Sequence, residues 1–230
     1  MQLRILTTQT ERREFADRMV RARAGKGLGF SETPQSVLGA IHLDHGGVYA
    51  LYDEEGPEPD EMLAGFVIHN LATFPQSFSR PDLTRLPPEH VYECGELWAL
   101  APGAARLVRH AGYILAGLKE AQAILVYPML KPRDLSFFYK TFSRDGEPIL
   151  SPYMKTLDGG EIWAQAMVLE GLALEMTVNI ATAVSFESFD GQTLQFRNPF
   201  PIMPRINRRI PLRAPNVPEV RGKRVAQLRR

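Results

Sequence analysis

Cysteine is almost missing from this sequence: Cys94 stands alone among 230 residues. A single thiol excludes an internal disulfide framework and any zinc cluster built on cysteines. No apolar run reaches the roughly 18 residues that a membrane helix needs, and the opening residues Met1–Ile5 lack the apolar centre of a signal peptide. A cytoplasmic protein is the expectation. Net charge is nearly absent too, with 27 basic against 26 acidic side chains and a formal charge of +1. No overall field therefore selects nucleic acid or a membrane surface as partner. What is present is ordinary for a folded chain, 44% apolar and 23% charged, and long enough to bury its own core.

The charge is unevenly placed. Residues 203–230 hold nine basic groups and one acid, a net of +8, while residues 1–202 carry 18 basic and 25 acidic groups, a net of −7. Pro204, Pro211, Pro215 and Pro218 suit an extended arm better than a helix. Such an arm can be solvated, lie against the acidic body of its own chain, or dock an acidic partner.

Periodicity organises the rest. Leu3–Leu6 reads as a strand, followed by a helix that Thr10 can cap and that Gly25, Gly27 and Gly29 end in a loose basic connection. A short helix fits Pro34–Ala40. Val48–Tyr52 and Met62–Ile68 form a hairpin about a polar turn, and Asn70–Pro88 is a long, proline-interrupted segment. Val91–Leu100 is a buried strand. Ala104–Ala121 follows as a helix, its apolar stripe Leu107, Ala111, Ile114, Leu115 and Leu118. Ala123–Tyr127 is wholly apolar, which suits a central parallel strand. Asp134–Phe142 is a short helix and Glu161–Leu169 a strand. Glu170–Ala183 fits either period, and Phe189–Leu194 turns about Asp190-Gly191. The expectation is one mixed α/β domain over residues 1–185, with a C-terminal extension, basic and proline-containing, over 186–230.

Chemistry concentrates between Val91 and Gly146. A helix that opens just after a buried strand presents backbone N–H groups and a positive dipole end, the geometry that receives a pyrophosphate, with Arg106 and Arg109 in its first turns. Glu93 and Glu96 are the candidate bases. Three apart on an ideal strand, they would point to opposite faces; a β-bulge at Gly95 would bring them to one side. Other candidates have bland readings. Tyr139 shares an apolar stripe with Leu135, Phe138 and Phe142. His42, Asp44 and His45, in His-Leu-Asp-His-Gly-Gly, are weak evidence for a metal site, since the sequence shows no second cluster of ligands. Cys94 with His110 reads as a buried inert thiol rather than a nucleophile. His69 and His90 are isolated.

The sequence resembles the GNAT superfamily of acyl-CoA N-acyltransferases. The order of elements covers residues 3–170, and the specific part covers residues 91–148. In the family a Gln/Arg-x-x-Gly-x-Gly/Ala loop opens the helix that holds the CoA pyrophosphate. Here Pro102 is followed by Arg106-Leu-Val-Arg109-His-Ala111, with arginine at the family's glycine. Leu135-Ser-Phe-Phe-Tyr139-Lys-Thr-Phe142-Ser-Arg-Asp-Gly146-Glu-Pro is similar to the family's "ARFYEKLGF…GEP" helix and turn. The resemblance implies a mixed, splayed central sheet flanked by helices. It also implies acetyl-CoA or another acyl-CoA as cosubstrate without a metal, and a small-molecule amine acceptor. Glu93 or Glu96 would take the amine proton and Tyr139 would protonate the departing sulfur. Trp98, Leu100, Arg106, Arg109, Ala111 and Gly112 would hold the thioester. Arg109 in place of glycine implies looser CoA binding or a donor without ADP. The latter is the habit of the autoinducer and N-acyl amino acid synthases, which draw on acyl carrier protein. VYECGELWAL is similar to their Glu-bearing strand. The alternative is a non-catalytic binding or regulatory module with a degenerate CoA site.

Overall fold

A computed structural model describes residues 1–30, 47–54, 60–73, 84–101, 103–127 and 144–197. β1 (Gln2–Ile5) leads into α1 (Gln9–Ala24). Its cap is Thr8 rather than Thr10. The Thr8 hydroxyl accepts from the Glu11 N–H, and the Glu11 carboxylate accepts from the Thr8 N–H, the reciprocal box that Thr8-Gln-Thr-Glu11 encodes. Gly25 ends the helix. The expected loose connection then contains a short strand, β2 (Leu28–Phe30), which pairs with β7 (Arg144–Thr156). β3 (Gly47–Tyr52) and β4 (Met62–Asn70) form the expected hairpin. The chain continues as β5 (Val91–Ala99), α2 (Ala104–Leu118), β6 (Ala123–Val126), β7, β8 (Glu161–Glu170), α3 (Gly171–Ser185), β9 (Phe186–Phe189) and β10 (Thr193–Phe196). Residues 170–183, which fit both periods, are thus mostly helix. The expected helices at Pro34–Ala40 and Asp134–Phe142 lie outside the described residues.

These strands make one mixed sheet in the order β2-β7-β8-β6-β5-β4-β3-β1-β10-β9. β5 and β6 run parallel, which requires the crossover that α2 supplies. The other described pairings are antiparallel. Because β10 pairs with β1, the sheet continues past residue 185 and takes in the first part of the expected extension.

Helices cover both faces. α1 lays Phe15 and Met19 on Val48, Ala50, Val67 and Trp98. Its close approach depends on Gly65, where a Cβ would come within 2.4 Å of the Phe15 ring and 2.8 Å of the Tyr49 carbonyl oxygen. α2 and α3 cover the opposite face, with Leu107, Ala111, Ile114 and Leu115 packed among Phe66, Ile68 and Ile124. Leu118, expected in that stripe, is half exposed because α2 ends there.

Candidate active site

The sheet opens where β5 leaves β6. Their pairing covers Val91↔Ala123, Tyr92↔Ile124 and Glu93↔Leu125, and no further pairing is described, although β6 runs to Val126 and β5 to Ala99. β5 stays bound to β4 along this stretch, with one irregularity. Gly65 opposes Trp98 and Val67 opposes Gly95, so two steps on β4 match three on β5. The extra residue is a β-bulge, and it places Glu96 at φ 54°, a left-handed conformation that costs a non-glycine residue about 1–2 kcal/mol. A bulge increases twist and bends its strand, which turns β5 away from β6.

The bulge also sets which way the carboxylates point. Val67 belongs to the cluster under α1, and His69, two residues on, shares its face. His69 stands opposite Glu93 in register, with Nε2 3.9 Å from the Glu93 carboxylate, and both side chains are about nine-tenths buried. Beyond the bulge, Glu96 accepts a 2.5 Å charge-assisted hydrogen bond from Arg23 of α1. Trp98 meets Phe15 of α1 edge-on, ring centroids 5.4 Å apart. Glu93 and Glu96 therefore share the α1 face, as a bulge beside Gly95 requires. Their situations differ. Glu96 is committed to a buried guanidinium, whereas Glu93 sits at the point where the two strands part. Sequence reasoning missed both His69 and Arg23, because neither has a local signal; strand register and helix packing bring them here.

The residues expected to hold the thioester are rearranged. The Leu100 N–H donates to the Leu63 carbonyl at 2.9 Å, so Leu100 faces β4. Successive strand amides alternate sides, which also points the Trp98 amide at β4, and the Trp98 ring is buried under α1. By the same alternation the Ala99 N–H points toward the side that β6 has left. Ala111 and Gly112 do not face a ligand either. Ala111 is fully buried in the core, and Gly112 lies against the Cys94 sulfur, which a Cβ would approach to 3.1 Å. The physical reason is register: α2 begins at Ala104, so the Arg106–Ala111 stretch lies inside the helix rather than in the loop before it. The turn into α2 is made by Gly103 at φ 80°, a conformation that glycine adopts freely. Arg106 lies in the first turn and is exposed, and Arg109 is one turn further on and partly buried.

Other candidates resolve simply. Burial, and then the charge of Glu93, push the Cys94 thiol up to about 12, which leaves it protonated and inert. Burial, then Arg106 and Arg109, push His110 down to about 4. Its Nδ1 shares a 2.6 Å hydrogen bond with Ser185 of α3. Tyr139, His42 and His45 lie outside the described residues. Among the described residues, no group of three metal-ligating side chains gathers.

No protein-family model and no curated protein matches the sequence. Solved structures do match the fold. An N-acyl amino acid synthase, FeeM, from uncultured soil microbes superposes with a TM-score of 0.53 at 14% identity, covering 80% of this chain and 98% of its own. NAA60 of Arabidopsis thaliana, solved with acetyl-CoA, gives 0.53 at 12% identity over 74% of this chain and 98% of its own. The same protein with a bisubstrate analogue gives 0.52. The chain shares its fold with these structures over about three quarters of its length, and that fold is the GNAT fold.

Proposed function

We propose that this protein is an N-acyltransferase that moves an acyl group from a thioester to the amine of a small molecule. The observation that carries the reading is the parting of β5 and β6 at Glu93, with a buried carboxylate at its apex. In this reading the thioester arm lies along the free edge of β5, and the Ala99 N–H polarises its carbonyl. The amine nitrogen attacks the carbonyl carbon from the α1 side and gives its proton to Glu93. The carbon–sulfur bond then breaks, and the thiolate takes a proton, for which the family resemblance offers Tyr139. Holding both substrates in one cleft supplies much of the acceleration. Gly103 and the first amides of α2, with Arg106 beside them, would receive the pyrophosphate of a CoA donor. An acyl carrier protein would deliver the same thioester without that contact.

The rival, a non-catalytic module, drew its support from Arg109 at a glycine position. The turn into α2 is made at Gly103, six residues before Arg109, and this placement favours the catalytic reading over the rival.

Thermal-shift titrations with acetyl-CoA, long-chain acyl-CoA and acylated carrier protein test the reading, paired with thiol release in the presence of an amino-acid panel. A donor at about 100 times its Kd should stabilise the fold by about 2.7 kcal/mol and release thiol only when an amine is added. No stabilisation and no thiol release with any donor would overturn it.

A further inference from the structure

A cavity of about 850 Å³ opens at the end of the fold away from the candidate active site. Arg85 and Leu86, before β5, form one wall, and Leu174, Glu175, Val178 and Asn179 of α3 form another. These four recur at the three- and four-residue spacing that places side chains on one side of a helix. The end of α2 and Gln122, just before β6, complete the lining. β5 and β6 part at the other end of their pairing, beyond Glu93 and Leu125. The turn into α2 lies about 21 Å away along the helix axis.

The walls are fixed by contacts of their own. The buried Thr84 hydroxyl donates to the Glu170 carboxylate at 2.7 Å, and the Leu86 N–H donates to the Thr84 oxygen at 3.3 Å. At Gly117 α2 approaches α3 so closely that a Cβ would come within 2.6 Å of Val178. Glu170 is therefore engaged. Arg85 and Glu175 are not: both are exposed, and among the described residues neither enters an ion pair, with the other or with a third group.

A cavity of this size, with apolar walls and a few polar groups, is the usual form of a small-molecule site. Here the apolar part is Leu86, Leu174 and Val178, and the charged groups are one cation and one anion that line the same space without touching. A cation alone would select an acid, and an anion alone an amine. The two together select a molecule that bears both charges.

We propose that this cavity binds a small zwitterion with an apolar body, an apolar amino acid or dipeptide, at a site separate from the acyl-transfer cleft. Its carboxylate pairs with Arg85 and its ammonium with Glu175, with the Asn179 side-chain oxygen one turn on as a second acceptor. Its apolar side chains lie on Leu86, Leu174 and Val178. The walls are already in place, so binding orders little of the protein.

Isothermal titration calorimetry on the full chain tests this, with L-leucine and L-leucyl-L-leucine as probes. At least one should bind with a Kd on the order of 1 mM or tighter, and the tighter of the two distinguishes an amino-acid from a peptide source. Arg85→Gln and Glu175→Gln should each weaken that binding by about tenfold, with unchanged thermal midpoints because both side chains are exposed. The N-acetylated form of the probe lacks the ammonium and the C-amidated form lacks the carboxylate, and each should bind about tenfold more weakly. Glu93→Gln should keep the affinity of the native chain. No heat from either probe up to about 10 mM would overturn the proposal. So would blocked probes that bind as well as the zwitterion, binding that either charge variant leaves intact, or binding that Glu93→Gln abolishes, the last assigning the probe to the acyl-transfer cleft.

Discussion

Glu93 is the side chain on which the proposed transfer depends. Glu93→Gln keeps shape and burial while removing the base, so kcat should fall by about 10²–10⁴ with an unchanged urea midpoint. Glu96→Gln, in contrast, strips the negative charge from the hydrogen bond with Arg23 and should appear mainly as lost stability. Steady-state kinetics beside urea titration separates the two effects. His110 predicts a pH dependence. Its ring is held neutral in the fold, with its pKa lowered from 6.5 to about 4. The unfolded chain therefore binds the extra proton first, and stability present above 6.5 is lost as pH falls toward 4. The ring is only partly buried, so the loss is on the order of 1 kcal/mol. Urea midpoints measured across this range should lose that component of their slope in His110→Asn. At this scale the sequence was half legible. A glycine between two glutamates was enough to suggest the bulge. His69 was opaque, since an isolated histidine gains meaning only when register sets it opposite Glu93.

At the scale of elements, the bulge and the α1 cap are the features to probe. Glu96 at φ 54° stores backbone strain that glycine would not feel. Glu96→Gly and Glu96→Ala both lose the Arg23 contact, yet the glycine variant should be more stable by about 1 kcal/mol, read from chemical denaturation. Thr8→Ala removes the hydroxyl half of the capping box and should cost about 1 kcal/mol, whereas Thr10→Ala should cost much less. Which elements could be read in advance follows from their patterning. β5 and β6 announced themselves as apolar runs, and α2 by its stripe. β7 stayed hidden because Arg-Asp-Gly-Glu-Pro at its start resembles a turn, and its pairing with β8 is a tertiary gain. α3 was ambiguous for a related reason. Its apolar residues lie on both a buried and an exposed face, so no single period stands out.

The molecule as a whole is closed by a contact between its distant parts. β1 lies between β3 and β10, Leu3 stands opposite Leu194, and both are fully buried. Leu3→Ala should cost about 2–5 kcal/mol. Combined with Leu194→Ala, it should show a coupling of about 0.5–3 kcal/mol in a double-mutant cycle, despite the separation in sequence. The same arrangement governs how the protein is made. A ribosome moving at about 5–20 residues per second has released β1 and β3 on the order of ten seconds before β10 emerges. Through that interval one border of β1 offers its amides and carbonyls to any passing strand. A nascent chain of this kind needs either a chaperone at that border or a slow, well-shielded start, and yield in a rapid expression host should improve when translation is slowed by cooling.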